Sequence, residues 1–209
     1  MPTRKVPWYP GASCHMTARG NHKSNIFRDE EDFQHYLILM EEALYYFRYE
    51  QYEIICYCLM DNHVHILIKT KDNPPGKFIG RVNGIYAKYF NKKYDYIGHL
   101  FQGRYHKEFI KNDAQMLEVS RYIHLNPVRA NMVKKPERYK WSSYNMYIGK
   151  KQEKIIVPDR IFYYFNELNK RKQYRTFVEN AITAGTPGVQ NFPAASSAYK
   201  SNRNAGFMF

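Results

Sequence analysis

The apolar positions change period along the chain, and each change marks an element. Residues 15–19 form a short strand pattern that ends in a polar turn at Gly20-Asn21. An acidic run, Asp29-Glu30-Glu31-Asp32, then opens a helix whose buried face is Phe33, Tyr36, Leu37, Met40, Leu44 and Phe47. Residues 52–60 are β-branched and aromatic, Asp61-Asn62 supplies a two-residue turn, and 63–69 return as a second strand, which predicts a hairpin. Beyond Pro74-Pro75-Gly76, the positions Phe78, Val82, Ile85, Tyr86, Tyr89 and Phe90 recur at helical spacing to about Tyr94. A glycine-punctuated stretch, 98–110, ends in a strand. Asp113 is the expected N-cap of a further helix through Leu125, stopped at Asn126-Pro127 because proline disfavours helical geometry in the residue before it.

The order βαββαβ followed by a helix predicts an α+β fold, a ferredoxin-like split βαβ antiparallel sheet with helices on one face. The other face is left for a ligand or for the following helix. Residues 1–150 are expected to form this main domain. Two helical patterns, 159–170 and 174–184, suggest a small accessory extension over 151–184. From Gly185 to Phe209 the chain is rich in Gly, Pro, Ala, Ser and Asn and is expected to be a disordered tail.

Composition narrows the partner. Thirty-two Lys and Arg against 19 Asp and Glu give a formal net charge of +13, which favours a polyanion through long-range attraction and counterion release. Nucleic acid is the leading partner. The chain has no apolar run of membrane-spanning length, no lipidation signal and no secretory leader, so a cytoplasmic protein without membrane contact is expected. Three cysteines, Cys14, Cys56 and Cys58, form no CxxC pair and read as core packing.

Two patterns can carry chemistry. In His63-Val64-His65 the histidines are two apart on a strand and share a face, while Val64, Ile66 and Ile68 take the core. Neutral imidazole is a common metal ligand, and two from one strand make half a site, although an HxH pair is equally compatible with a structural role. In Tyr122-Ile123-His124-Leu125-Asn126-Pro127-Val128-Arg129-Ala130, Tyr122 and Asn126 stand one helical turn apart. A phenol can attack a phosphodiester and an amide oxygen can complete a metal site. Taken alone, Tyr122 is one of 20 tyrosines, most of which pack, and Asn126 is a helix stop.

Together with their surroundings, these residues resemble the single-tyrosine HUH transposases, and within them the REP-associated tyrosine transposases. The resemblance covers roughly residues 15–144 in ordered blocks: Thr17-Ala18-Arg19-Gly20; Leu59-Met60-Asp61-Asn62-His63-Val64-His65-Ile66-Leu67; Asn83-Gly84-Ile85-Tyr86-Ala87-Lys88-Tyr89-Phe90-Asn91; Gly98-His99-Leu100-Phe101-Gln102-Gly103-Arg104-Tyr105; the Tyr122 to Ala130 block; and Trp141-Ser142-Ser143-Tyr144. It implies cleavage and transfer of single-stranded DNA, often beside a hairpin, through a 5′-phosphotyrosine with release of a 3′ hydroxyl. Tyr122 matches the nucleophile and His63 and His65 the metal ligands. Asn126 sits where the family's helix supplies a third ligand, a position at which relatives vary, and Mg²⁺ or Mn²⁺ is the implied metal.

DNA contacts are expected from Arg19, Lys88, Arg104, Lys107 and Arg129, with bases stacking on Phe101, Tyr105 or Tyr86. His99, His106 and His124 could be read as ligands or acid-base groups, but His124 projects from a different side of the helix than Tyr122, which favours a structural or DNA-contacting role. A carboxylate-triad nuclease is disfavoured because the acids cluster at a helix start. The alternatives are a non-catalytic nucleic-acid-binding regulator that retains the fold and, third, a replication initiator or relaxase. Monomer and homodimer both remain open, the monomer being favoured.

Overall fold

The computed structural model describes residues 7–152 and 154–183. The expected disordered tail, 185–209, lies outside the described residues. Strand β1 (Ser13–Arg19) leads through a 3₁₀ turn to helix α1 (Glu30–Tyr46), the hairpin β2 (Glu53–Met60) and β3 (His63–Lys69), helix α2 (Pro75–Lys93), strand β4 (His106–Phe109) and helix α3 (Asp113–Arg129). The four strands form one sheet in the order β2-β3-β1-β4 with every neighbour antiparallel. This is the α+β, ferredoxin-like arrangement that the βαββαβ order predicts.

Alternation along the strands sets two layers. Met16, Ala18, Val64 and Ile66 point to one face and are buried, and α1 and α2 pack together over it. The acidic start of α1 is part of that layer. Asp29 caps the helix by accepting from the Asp32 amide, and the fully buried Asp32 carboxylate accepts from Lys93 at the end of α2 at 2.9 Å. The opposite face carries His15, His63, His65, Leu67, Cys56 and Cys58, and α3 lies across it against β2 and β3. The three cysteines are buried free thiols.

Helix α3 does not stop before Pro127. It starts from Asn112 rather than Asp113, since Asn112 Oδ1 accepts from the Gln115 amide, and it runs to Arg129 with Pro127 inside it. The true stop is Asn131, which takes the left-handed conformation (φ 56°). The Met132 amide then reaches the Pro127 carbonyl and the Asn131 amide the Val128 carbonyl, the paired bonds of a Schellman motif. Pro127 forfeits the ladder bond that its missing N–H would donate to the Ile123 carbonyl, and the proline is buried.

The outer edge of β2 is covered. Trp141 O accepts from the Leu59 amide, and the Ser143 amide donates to Tyr57 O, so the Trp141-Ser142-Ser143 segment runs along an edge that would otherwise be open to association. Helices α4 (Tyr144–Tyr147), α5 (Asp159–Phe162) and α6 (Lys170–Thr183) follow and pack against α3 and one another. The first expected C-terminal helix is only one turn long; further along, Asn166 Oδ1 accepts from the Leu168 amide in a turn, and α6 begins earlier than expected. Among the described residues no helix is long and apolar enough to cross a membrane.

Candidate active site

The site begins at the tip of the β2–β3 hairpin. The Asp61 carbonyl accepts from the Ile26 and Phe27 amides and the Asn62 carbonyl from the Gly20 amide, so the hairpin tip is tied to the segment leaving β1. Gly20 is required there: a Cβ on it would stand 2.1 Å from the Ser24 carbonyl oxygen. The register then sets Arg19 opposite His63 and Thr17 opposite His65.

His63 and His65 lie on one face, with ring centroids 4.8 Å apart. His63 Nδ1 is 2.6 Å from Asn62 Oδ1, and His65 Nδ1 is 3.0 Å from Nε2 of His15 on β1. Tyr122 descends from α3 onto this group. Its ring stands edge-on to His65 at 5.6 Å and to His15 at 6.0 Å. One turn later Asn126 Nδ2 donates to the Tyr122 carbonyl at 2.9 Å, and the Arg129 guanidinium lies over the Tyr122 ring at 5.1 Å.

The electrostatics keep the histidines neutral. Burial, reinforced by Arg19, pulls His63 down to about 4, and burial with the positive charges of its neighbours holds His65 well below the ordinary histidine value. Both imidazoles therefore keep a lone pair at neutral pH. Burial raises Tyr122 above the usual phenol range, while Arg129 and hydrogen bonding from Asn126 oppose the rise.

A buried atom tests whether a cation fits. His65 Nε2 is shut away from solvent and has no hydrogen-bond partner among the described residues, which an imidazole nitrogen tolerates poorly unless something else occupies that position. No group of three or more His, Cys, Asp or Glu among the described residues is disposed to hold a metal. A cation on His63 and His65 would thus need an amide or phosphate oxygen as a further ligand, and Asn126, one turn from Tyr122 on α3, is the candidate amide.

The structure brings Tyr122, Asn126, Arg129, His63, His65 and Arg19 to one end of the sheet face. The other expected DNA-contacting residues spread more widely. Phe101 is half-buried and bridges to Gly20, beside Arg19, with Arg104 exposed in the same loop. Tyr105 packs its hydroxyl against Gly76 at the start of α2. Lys107 pairs with Met16 and lies over Phe109, so it faces away from the histidines, and Lys88 is exposed on α2 in the opposite layer. Tyr86 cannot stack a base: it is fully buried and its hydroxyl donates to the Ile26 carbonyl. His124 is likewise closed to DNA, being fully buried between Tyr174 Oη and Ser143 Oγ at 2.7 and 2.8 Å. Sequence reasoning missed His15 and Asn62, the two δ-nitrogen partners. The signal for His15 was parity, since it shares a strand face with Thr17 and Arg19, and for Asn62 its place beside His63.

The sequence model of the family described as transposase, IS200-like, matches residues 9–126, more than half of the chain and the whole span from before β1 to Asn126. The chain belongs to the IS200-like transposase family. It is a DNA-processing fold in that family's sense, and one solved structure supports the fold. A REP-associated tyrosine transposase bound to a REP hairpin superposes with a TM-score of 0.59 at 17% identity, over 75% of this chain and 91% of that one. A structure from Deinococcus radiodurans R1 assigned as a transposase gives a TM-score of 0.40 at 14% identity, over 58% of this chain and 95% of that one. No curated protein matches the sequence.

Proposed function

We propose that this transposase cuts and rejoins single-stranded DNA beside a hairpin, with Tyr122 as nucleophile and a divalent cation, Mg²⁺ or Mn²⁺, held by His63, His65 and Asn126. The observation that carries the reading is the convergence of Tyr122 from α3 with His65 from β3, ring to ring at 5.6 Å, beside a buried His65 Nε2 that lacks a hydrogen-bond partner among the described residues. A cation there would polarise the scissile phosphate and offset its developing charge.

The chain's own residues supply the rest. The Tyr122 oxygen attacks phosphorus as the bond to the 3′ oxygen breaks; the phenol proton is lost and the departing 3′ oxygen gains one, so a 5′-phosphotyrosine and a 3′ hydroxyl result. Arg129 stabilises negative charge on the phenol, and Arg19 lies where it can take a neighbouring phosphate. Reversal on another strand restores the phenol. The REP hairpin bound by the similar solved protein makes hairpin-flanked DNA the substrate class of choice. Tyr122 packs against His15 and His65 of its own chain, which supports a site complete within a monomer.

The test uses hairpin oligonucleotides labelled at one end or the other. A 5′-phosphotyrosine predicts a covalent adduct that carries the 3′-end label, with the 5′-labelled fragment released. An adduct carrying the 5′ label would contradict the polarity, and tight binding without any adduct would favour a non-catalytic binding protein.

A further inference from the structure

His15 and His65 share one proton between two facing nitrogens. Their Nε2 and Nδ1 atoms are 3.0 Å apart and both rings are buried, so one nitrogen donates and the other accepts. If His15 donates, the proton of neutral His65 sits on Nε2 and becomes a buried N–H with no acceptor among the described residues. If His65 donates, its Nε2 presents a lone pair instead. Only the second arrangement leaves His65 able to ligate.

The neighbouring histidine is arranged the same way. Asn62 Nδ2 donates to the Lys23 carbonyl at 3.1 Å, which fixes the amide so that Oδ1 faces His63. That oxygen can only accept, so His63 Nδ1 carries the proton and its Nε2 is a free lone pair. Both histidines of the HxH pair are then held with protonated δ nitrogens and bare ε nitrogens. A ligating imidazole needs such an outer partner to fix its tautomer and ring orientation.

We infer that His15 is a positioning residue that holds His65 in the Nδ1–H tautomer and aims its Nε2 at the cation, as Asn62 does for His63. The inference rests on the metal reading of the proposed function. It assigns His15 a role that touches neither DNA nor the reacting phosphate.

The experiment uses the full-length, DNA-free protein labelled with ¹⁵N-histidine, and reads tautomers by long-range ¹H–¹⁵N correlation near neutral pH, with His65 assigned by comparison with His65→Gln. The inference expects a protonated Nδ1 and an unprotonated Nε2 on His65 before any metal is added. Mn²⁺ affinity, followed by the paramagnetic signal of the free ion, should fall roughly tenfold or more in His15→Leu, and His15→Gln, whose amide oxygen can accept from His65, should regain most of it. A wild-type His65 protonated on Nε2 overturns the inference without recourse to any variant, as does His15→Leu binding Mn²⁺ as tightly as wild type. Failure of the underlying reading looks different: wild type that binds no Mn²⁺, or His63→Ala that binds it undiminished, removes the metal site itself and the inference with it.

Discussion

The Arg129 guanidinium lies over the ring of Tyr122, 5.1 Å from its centroid, and opposes the effect of burial on the phenol. A cation so placed is worth about 1 kcal/mol at a partly exposed site, and its value rises as charge develops on the phenol oxygen. Arg129→Gln should therefore slow adduct formation roughly fivefold to tenfold at saturating DNA, with Arg129→Lys intermediate. An unchanged single-turnover rate in Arg129→Gln would remove the residue from the reaction.

Metal dependence divides the two histidines of the HxH pair. His63 is only half-buried at the end of a strand, so His63→Ala should fold and bind DNA while losing Mn²⁺ binding in calorimetry. His65 lies deeper, and His65→Ala should lose both metal and some thermal stability, because a packed ring is removed from under α3. A chelator should stop cleavage by wild type and leave its melting temperature close to that of the metal-free protein.

Acid should unfold the protein through its buried histidines. Burial alone pulls His124 down to about 3, and His15 and His63 stand at about 4, against an unfolded value near 6.5. Below about pH 6.5 the unfolded chain gains protons that the folded one refuses, so stability is complete above that pH and is lost progressively towards pH 4 and below. Denaturant midpoints measured in metal-free buffer should fall across this window. In His124→Gln the decline should be shallower, since one of the groups responsible is gone; an unaltered slope would show that His124 is not held neutral by burial.

The end of α3 offers a test of the fold alone. Asn131 holds a left-handed conformation that a side chain with a branched β-carbon adopts at a cost of about 1–2 kcal/mol. Asn131→Gly should leave the melting temperature unchanged or raise it slightly, and Asn131→Val should lower it by several degrees without altering metal binding.

The fold was largely legible because its elements announce themselves locally. The β-branched and aromatic run over 52–60, the strand pattern over 63–69 and Asp61-Asn62 between them predict the hairpin, and the helical spacing from Phe33 to Phe47 predicts α1. Strand parity also places His63 and His65 on one face, and helical spacing sets Asn126 a turn below Tyr122. What could not be read depends on register between distant segments. Nothing in the sequence around His15 fixes the register that brings it into contact with His65, 50 residues away. The same holds for His124, whose helical position is readable but whose partners Tyr174 and Ser143 come from separate segments. Pro127 misled for a physical reason: the restriction on the residue before a proline is a bias that a packed helix can override, and Asn131 rather than Asn126 ends α3.

If the proposed function holds, Tyr122 becomes covalently joined to DNA in a metal-dependent step. The direct measurement is a denaturing gel of wild type and Tyr122→Phe with labelled single-stranded hairpin DNA in Mg²⁺ or Mn²⁺, with the attached nucleotide mapped by peptide mass spectrometry. The expected result is an adduct on Tyr122 that requires metal and is absent from a Tyr122→Phe protein that still binds the hairpin. An adduct that persists in Tyr122→Phe, or one mapped to another tyrosine, would contradict it.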